Sequence, residues 1–178
     1  MTAKFWAGVV FFALFAILAS AASGAELKTR YATVRYSDAE LLRKFNDEFY
    51  LGRRLTYQLR GMEALTVADE VRNKLNVVVE KVEAVLDMFP PILAFTIVLL
   101  PTDDDVQAVY FKKYGKRVDH IAYYSLSEKT IYISVRDVNL QVLAHELGHV
   151  VVDHYFKVRP PYKIHEVLAQ FAEVHITD

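Results

Sequence analysis

The sequence predicts an α+β domain, in which a small mixed sheet packs on helices. Strand patterns and helix patterns alternate irregularly along the chain, in the order strand, two helices, strand, helix, hairpin, helix, helix. The apolar run "ILAFTIVLL" at 92–100 is typical of a central strand covered on both faces. The last two helices are separated only by a break around Pro160 and Pro161, so we expect them to pack against each other.

Residues 1–25 are set aside from the fold, because they have the features of a secretory signal. Lys4 precedes an apolar run at 5–18, and small residues follow it. We expect cleavage between Ala25 and Glu26 and a secreted or periplasmic location. An uncleaved membrane anchor is the alternative, although the run is shorter than the roughly 20 apolar residues of a spanning helix. Only in that case do we expect contact with a membrane.

Composition limits the partners of the chain and the sources of its stability. A chain of the size of 26–178 buries roughly 70% of its unfolded surface, which is enough for a single domain. The protein has no cysteine, so its stability must come from its core rather than from disulfides, with a bound metal as a further possible source. Its net charge is −1, and nucleic-acid binding needs clustered Lys and Arg. We therefore expect no nucleic-acid partner, and the oligomeric state stays open.

The N-terminal half is predicted to contain one strand and two helices. Residues 31–36, "YATVRY", follow the alternating side-chain pattern that is typical of a strand. Ser37 and Glu40 then predict a capping box for a helix that runs toward Leu59. A second helix is predicted from Thr66, because apolar residues recur every three or four positions until Phe89-Pro90-Pro91 ends it. The recurring residues are Val67, Val71, Leu75, Val78, Val82, Val85 and Phe89.

The C-terminal half begins with the strand at 92–100. The segment "PTDDD" supplies an N-cap for a short helix, which Gly115 closes. "HIAYYSL" and "KTIYISV" flank a turn at Ser127 and Glu128 and predict a hairpin. A helix follows from Asp137 or Asn139 to about Phe156, and a final helix from about Tyr162 to Val174.

The first of these two helices contains "HELGH" at 145–149, within apolar sequence. Burying such side chains costs several kcal/mol unless they find partners. Residues four apart share a helix face, so His145 and His149 can direct nitrogens at one ion about 2.0 to 2.1 Å from each. Glu146 lies beside that ion, where it can take a proton from a zinc-bound water, whose pKa is roughly 7. The motif thus supplies two ligands and a base. The alternative is that the two histidines occur by chance in a helical core and bind no metal.

A catalytic zinc takes three protein ligands and keeps one open position. A third histidine at the spacing H-E-x-x-H-x-x-G-x-x-H is excluded by Val152 and Tyr155. His154 is expected to point away from the metal face, as a surface histidine. Glu166 and Glu173 remain, both on the predicted last helix, and residue spacing alone leaves the choice between them open.

"HELGH" followed by "HEVLAQ" at 165–170 resembles the gluzincins, the thermolysin-like zinc peptidases, and especially their compact single-domain members. The resemblance implies a zincin-like fold and a third ligand in an E-x-x-A context, which here is Glu166 with Ala169. It therefore implies one Zn²⁺ per chain held by His145, His149 and Glu166, with Glu146 as the catalytic residue. It also implies that an edge strand binds extended peptide, and "TIYISV" at 130–135 is expected to be that edge.

The chain departs from this family at two positions. Val167 stands where compact relatives commonly have Gly, which is expected to affect the approach of the two helices. Gln170 stands where an Asp often orients a ligand histidine, and a neutral amide is expected to hold zinc less tightly. Glu173, two turns beyond Glu166, is expected to support a ligand or to substitute for one.

The residue that stabilises the oxyanion is left open by the sequence, and so are the roles of His120 and His175. The family supplies a Tyr or His beyond the ligand helix, but this chain ends soon after it. The candidates are Tyr155, Tyr162, His165, Tyr123, Tyr124 and Tyr132.

The leading functional prediction is a secreted zinc metallopeptidase that hydrolyses peptides or proteins through a zinc-bound water activated by Glu146. A catalytically silent zinc-bearing binding or assembly module of the cell envelope is the alternative, because the short C-terminus offers no obvious oxyanion donor. A zinc hydrolase of another bond, such as a cell-wall peptide crosslink, is a third possibility.

Overall fold

The computed structural model describes residues 24–178, so all but the end of the predicted signal at 1–25 lies outside the described residues. The described chain forms one five-stranded sheet and six helices. The strands are β1 (Ala25–Lys28), β2 (Ala32–Tyr36), β3 (Phe95–Leu100), β4 (Ala122–Ser125) and β5 (Thr130–Ser134). The helices are α1 (Ala39–Glu48), α2 (Gly52–Gln58), α3 (Val67–Leu86), α4 (Asp103–Tyr114), α5 (Leu140–Tyr155) and α6 (Tyr162–His175).

The sheet is mixed, with the strand order β1-β2-β3-β5-β4. Strands β2, β3 and β5 run parallel, and β1 and β4 pair antiparallel at the two edges. The predicted α+β class with a small mixed sheet is confirmed. Strand β1 was missed by the sequence analysis, because "AELK" is short, half charged and crosses the expected cleavage position.

The hairpin forms as predicted. The prediction that residues 130–135 form the edge strand of the sheet is wrong. Strand β5 lies between β3 and β4, and β4 is the edge. Burial explains this order, because Ile131 and Ile133 of β5 are completely buried. An interior position lets both isoleucines pack on the core, whereas β4 has only Ala122 and Tyr124 to place on that face.

One face of the sheet carries the core. Val34, Ile97 and Ile131 lie side by side in register and are fully buried, beneath α1, α3 and α5. On the opposite face α4 contacts β3 and β5, where Val98 and Leu100 stay half-buried. The expectation that 92–100 is covered on both faces therefore holds fully for one face only.

The first predicted helix begins and ends differently from the expectation. Asp38, not Ser37, is the N-cap, and its carboxylate accepts a hydrogen bond from the backbone N–H of Leu41 at 2.9 Å. A carboxylate at this position also interacts favourably with the positive end of the helix dipole. The helix then breaks before Gly52, whose φ of 74° lies in the left-handed region. The break lets Phe49 enter the core, where it is fully buried.

The second predicted helix is confirmed as α3, with Thr66 as the N-cap of a capping box completed by Asp69. The residues of its predicted apolar face are buried from Val71 to Val82. The helix ends at Leu86, because Asp87 adopts φ 52°. Phe89 lies beyond the helix and is exposed.

The remaining helices agree with the sequence. Thr102 and Gly115 cap α4, and Asn139 caps α5. The last helix, α6, follows Pro161 directly. Among the helices of residues 24–178, none combines the length and apolar character needed to cross a membrane.

Candidate metal centre

A close approach of α5 to α6 brings the predicted ligands together. A Cβ added at Gly148 would lie 2.8 Å from the Cα of Ala169 and 3.4 Å from the Cβ atoms of Ala169 and Ala172. Only a residue without a side chain permits this helix crossing. Val167 is 54% exposed and points away from it. The presence of Val instead of Gly at position 167 therefore does not affect the approach of α5 to α6, because Gly148 and Ala169 make the contact between these helices.

The three residues predicted as ligands lie in one cluster. A ligand atom from each of His145, His149 and Glu166 lies within 4.8 Å of the other two. The Glu166 carboxylate is 3.4 Å from Nε2 of His149 and 3.7 Å from Nε2 of His145. Two atoms bound at about 2.0 to 2.1 Å to one tetrahedral ion lie about 3.3 Å apart. The three side chains could therefore hold one metal ion.

Glu173 supports this cluster from behind His145. Its carboxylate oxygen lies 2.9 Å from Nδ1 of His145. With the ring proton on Nδ1, His145 donates to Glu173 and its Nε2 lone pair faces Glu166 and His149. The structure thus places Glu173 where it orients the His145 ring. Gln170, which stands where the family often has the orienting Asp, is exposed, and Glu173 instead makes the contact with His145.

The protonation of the cluster suits metal binding. Burial lowers the pKa of His149 to about 4, and the neighbouring His145 adds to this effect. His149 is therefore neutral at pH 7, as a metal ligand must be. Burial raises the pKa of Glu146 to about 8, opposed by the backbone N–H of Tyr124 and assisted by Glu166 and Glu173. A cation beside these carboxylates would shift the pKa of Glu146 back down.

The cluster forms the floor of a cavity of about 450 Å³. Glu146 is 8% exposed and lines this cavity. It also lines a smaller cavity of about 180 Å³ on the other side of His145, beside Val142 and Glu173. Glu146, His145 and Ala122 of β4 therefore line both cavities.

The structure narrows the candidates for the oxyanion donor. Tyr155 and Tyr132 do not line the larger cavity, whereas Tyr123, Tyr124, Tyr162 and His165 do. The Tyr124 hydroxyl donates to Asp153 at 2.9 Å. The hydrogen bond to Glu166, together with burial, raises the pKa of Tyr162 to about 12. His165 is 2% exposed, stacks on His149, and has no partner at either ring nitrogen within residues 24–178.

Asp153 was missed by the sequence analysis. Its side chain is only 3% exposed and pairs with Lys129 and Arg159, in addition to Tyr124. These contacts tie β4 and its turn to the helix of the motif. The only sequence signal was the position of Asp153 one turn after His149, directly after the buried residues 150–152.

The other histidines lie away from the ligands. Both ring nitrogens of His154 lie within 3.1 Å of the carbonyl oxygens of Val150 and Ala94. It points away from the metal, as predicted, but it links α5 to the start of β3 and is not a free surface residue. His120 is exposed at the mouth of the cavity, and His175 pairs with Asp178.

Comparisons of the chain with protein-family models, with curated proteins and with solved structures found no match. A function for this protein therefore has to come from the chemistry of the site.

Proposed function

We propose that this protein is a zinc-dependent peptidase of gluzincin-like type, with a zincin-like fold. The observation that carries the proposal is the cluster of His145, His149 and Glu166 with Glu146 buried beside it. It lies on the floor of a cavity next to β4, an edge strand with one side free of pairing in the sheet. Two imidazoles, one carboxylate and an adjacent base are the groups that peptide hydrolysis at zinc needs.

The residues of the cluster divide into ligands and supports. His145, His149 and Glu166 would hold the ion, and Glu173 keeps the His145 ring in the required orientation. Zinc, when bound, supplies Lewis acidity that makes water more acidic and the peptide carbonyl more electrophilic. Gly148 keeps α6 close enough for Glu166 to reach the two histidines.

Glu146 serves as the proton carrier. Its carboxylate takes a proton from the attacking water as the new C–O bond forms at the carbonyl carbon. It then gives that proton to the nitrogen as the C–N bond breaks, so that one water yields an acid and an amine. Burial raises the pKa of Glu146 toward neutral pH, which makes its carboxylate a stronger base toward water and its acid form a suitable donor to the leaving nitrogen.

The substrate is proposed to be an extended peptide. The outer edge of β4 has no neighbouring strand in the described sheet and lies next to the cavity, and such an edge can accept a further strand. We propose His165 as the donor to the developing oxyanion, because its ring nitrogens have no partner within residues 24–178, whereas the hydroxyls of Tyr124 and Tyr162 are bound to Asp153 and Glu166. Export, proposed from residues 5–18, is tested by N-terminal sequencing of the mature protein.

Substitution of the base tests the mechanism. Glu146→Gln should retain about one zinc per chain and lose hydrolysis of unstructured protein by at least about a hundredfold. His149→Ala should lose the zinc itself, whereas His175→Ala, on the exposed surface, should keep it. Elemental analysis and a protease assay with and without chelator measure both effects. Activity retained by Glu146→Gln would overturn the mechanism, and zinc without any cleavage would favour the silent binding module.

A further inference from the structure

Beside the ligand cluster lies a surface of aromatic rings that the proposed chemistry does not use. We define the aromatic wall as Tyr110 and Tyr114 of α4, Tyr123 of β4, and His120 from the segment between them. All four residues line the same cavity as His145, Glu146 and Glu166.

The wall is a packed array rather than a set of separate rings. Tyr110 is its centre, with ring centroids 4.6 Å from Tyr114, 5.0 Å from Tyr123 and 5.3 Å from His120. Tyr123 and His120 meet it edge to face, at interplanar angles of 86° and 79°. Tyr114 remains 42% exposed. Aromatic side chains arranged in this way offer both ring faces and ring edges to a further ring.

Tyr123 adds a polar group to this surface. The residue is 8% exposed, and its hydroxyl has no hydrogen-bond partner within residues 24–178. Buried hydroxyls normally find a partner. Tyr123 lines the cavity, so this unpartnered hydroxyl belongs to a side chain that a bound molecule would contact.

Strand geometry connects the wall to the ligand cluster. Along β4, Tyr123 faces α4, whereas Tyr124 faces the opposite way and donates to Asp153 of α5. A peptide added along the outer edge of β4 also presents successive side chains to opposite faces. When one of its side chains lies over the ligand cluster, a neighbouring side chain therefore lies against the aromatic wall.

We propose that the aromatic wall is a specificity subsite, which selects peptides with an aromatic side chain next to the position held at the ligand cluster. The proposal rests on the proposed peptidase function and names its substrate class. Acidic side chains are disfavoured, because Glu146 and Glu166 line the same cavity and the lining cation Arg159 is already paired with Asp153.

Peptide binding to the inactive variant tests the subsite separately from hydrolysis. The probes are short fluorescent peptides of degenerate sequence with one fixed central residue, which is Phe, Tyr, Leu, Ala or Asp. They are titrated by anisotropy into zinc-loaded Glu146→Gln. Peptides with Phe or Tyr should bind about five- to tenfold more tightly than those with Ala, as expected for one additional aromatic contact. Equal binding of the Phe and Ala peptides, or no binding of any of them, overturns the subsite.

Variants of the wall locate the preference. In the Glu146→Gln background, Tyr110→Leu should abolish the preference for Phe, and Tyr110→Phe should retain it. Tyr114→Leu, at a more exposed position, should reduce it and provides the test if Tyr110→Leu fails to fold. Tyr57→Leu, exposed on α2 and outside the cavity, should leave it unchanged. A preference that survives both leucine substitutions in the wall overturns the proposal.

Failure of the subsite and failure of the peptidase function give different results. Hydrolysis by the parent protein without an aromatic preference overturns the subsite alone. Aromatic-selective binding that Tyr110→Leu removes, without hydrolysis by the parent protein, overturns the peptidase function and leaves the subsite in place.

Discussion

The two glutamates of α6 have different environments. Glu166 approaches both motif histidines, at 3.4 Å and 3.7 Å, whereas Glu173 contacts only Nδ1 of His145. A carboxylate that meets the ring nitrogen on the far side from the cluster cannot share the ion with the near side. It can fix the tautomer and orientation of the ring, which raises the basicity of the ligand nitrogen.

Replacing these glutamates separates the two roles. Glu173→Gln should weaken zinc binding by about 10- to 100-fold, as loss of an orienting carboxylate typically does. Glu166→Gln should weaken it further, because it removes a ligand. Competition with a chromogenic chelator measures both dissociation constants, and Glu48→Gln, exposed on α1, is the control. An equal or larger loss in Glu173→Gln would identify Glu173 as the ligand.

At the scale of elements, the crossing of α5 and α6 is the feature on which the site depends. Gly148 lies within the motif and faces Ala169 and Ala172, which are both fully buried. The same contact sets the distance between α5 and α6, and with it the distance from Glu166 to His145 and His149. Metal geometry and helix packing are therefore coupled at one residue.

Gly148→Ala tests that coupling. The new Cβ would lie 2.8 Å from a backbone atom of α6, and overpacking of this kind costs about 1 to 3 kcal/mol. The higher helix propensity of alanine offsets at most about 1 kcal/mol. We expect lower stability together with weaker zinc binding, measured by denaturant unfolding with chelator and by chelator competition. Gln141→Ala, exposed on α5, should change neither; unaltered zinc affinity in Gly148→Ala would contradict the coupling.

The contact between α5 and the hairpin depends on Asp153. Burial raises the pKa of Asp153, but hydrogen bonds and charges from Lys129, Tyr124 and Arg159 lower it by more, so the net pKa lies below its ordinary value. The folded state therefore binds this proton less readily than the unfolded state does. Its stabilising effect is fully present above the ordinary pKa of about 3.9 and is lost as the pH falls through the lower folded value.

Asp153→Asn should consequently show a pH-dependent loss of stability. At pH 7 we expect about 1 to 3 kcal/mol, because a buried hydrogen-bonded charge is replaced by a neutral group. The difference should shrink toward zero at about pH 2. Urea unfolding in chelator at both pH values measures it, with Asp47→Asn as a control, since Asp47 forms an exposed pair with Arg43. If the loss of stability in Asp153→Asn persisted at about pH 2, the shape of the side chain rather than its charge would account for it.

For the whole molecule, the hydrophobic core does not include the candidate metal ligands His145, His149 and Glu166. Ile97, Leu143 and Leu147 are fully buried in this core, and the candidate ligands lie beside it on α5 and α6. Zinc should therefore stabilise a domain that is already folded. This differs from small zinc domains, whose folding requires the metal.

Chelation tests this distinction. Free zinc at about 1,000 times its dissociation constant stabilises by about 4 kcal/mol, which corresponds to a rise in Tm of about 8 to 16 °C for a domain of this size. Removing zinc should lower Tm by this amount and leave the circular dichroism at 25 °C unchanged. His149→Ala should show no response to chelator. Unfolding of the parent protein at 25 °C on chelation would contradict the expectation.

The sequence by itself determined the class of fold, most helix and strand positions, and the two histidines of the motif. These follow from local rules, because hydrophobic periodicity, caps and residues four apart on one helix are all set by the backbone geometry of a single element. Thr66, Thr102 and Asn139 cap their helices as their side chains predict.

Only the tertiary structure decided the features that join separate elements. The edge position of β4, the orienting contact of Glu173 with His145, and the ion pairs of Asp153 each depend on segments distant in the sequence. The strand order depended on which hairpin strand had more apolar surface to bury, and the place of Glu173 depended on the angle at which α6 crosses Gly148. Such choices depend on packing between elements, which no local pattern contains.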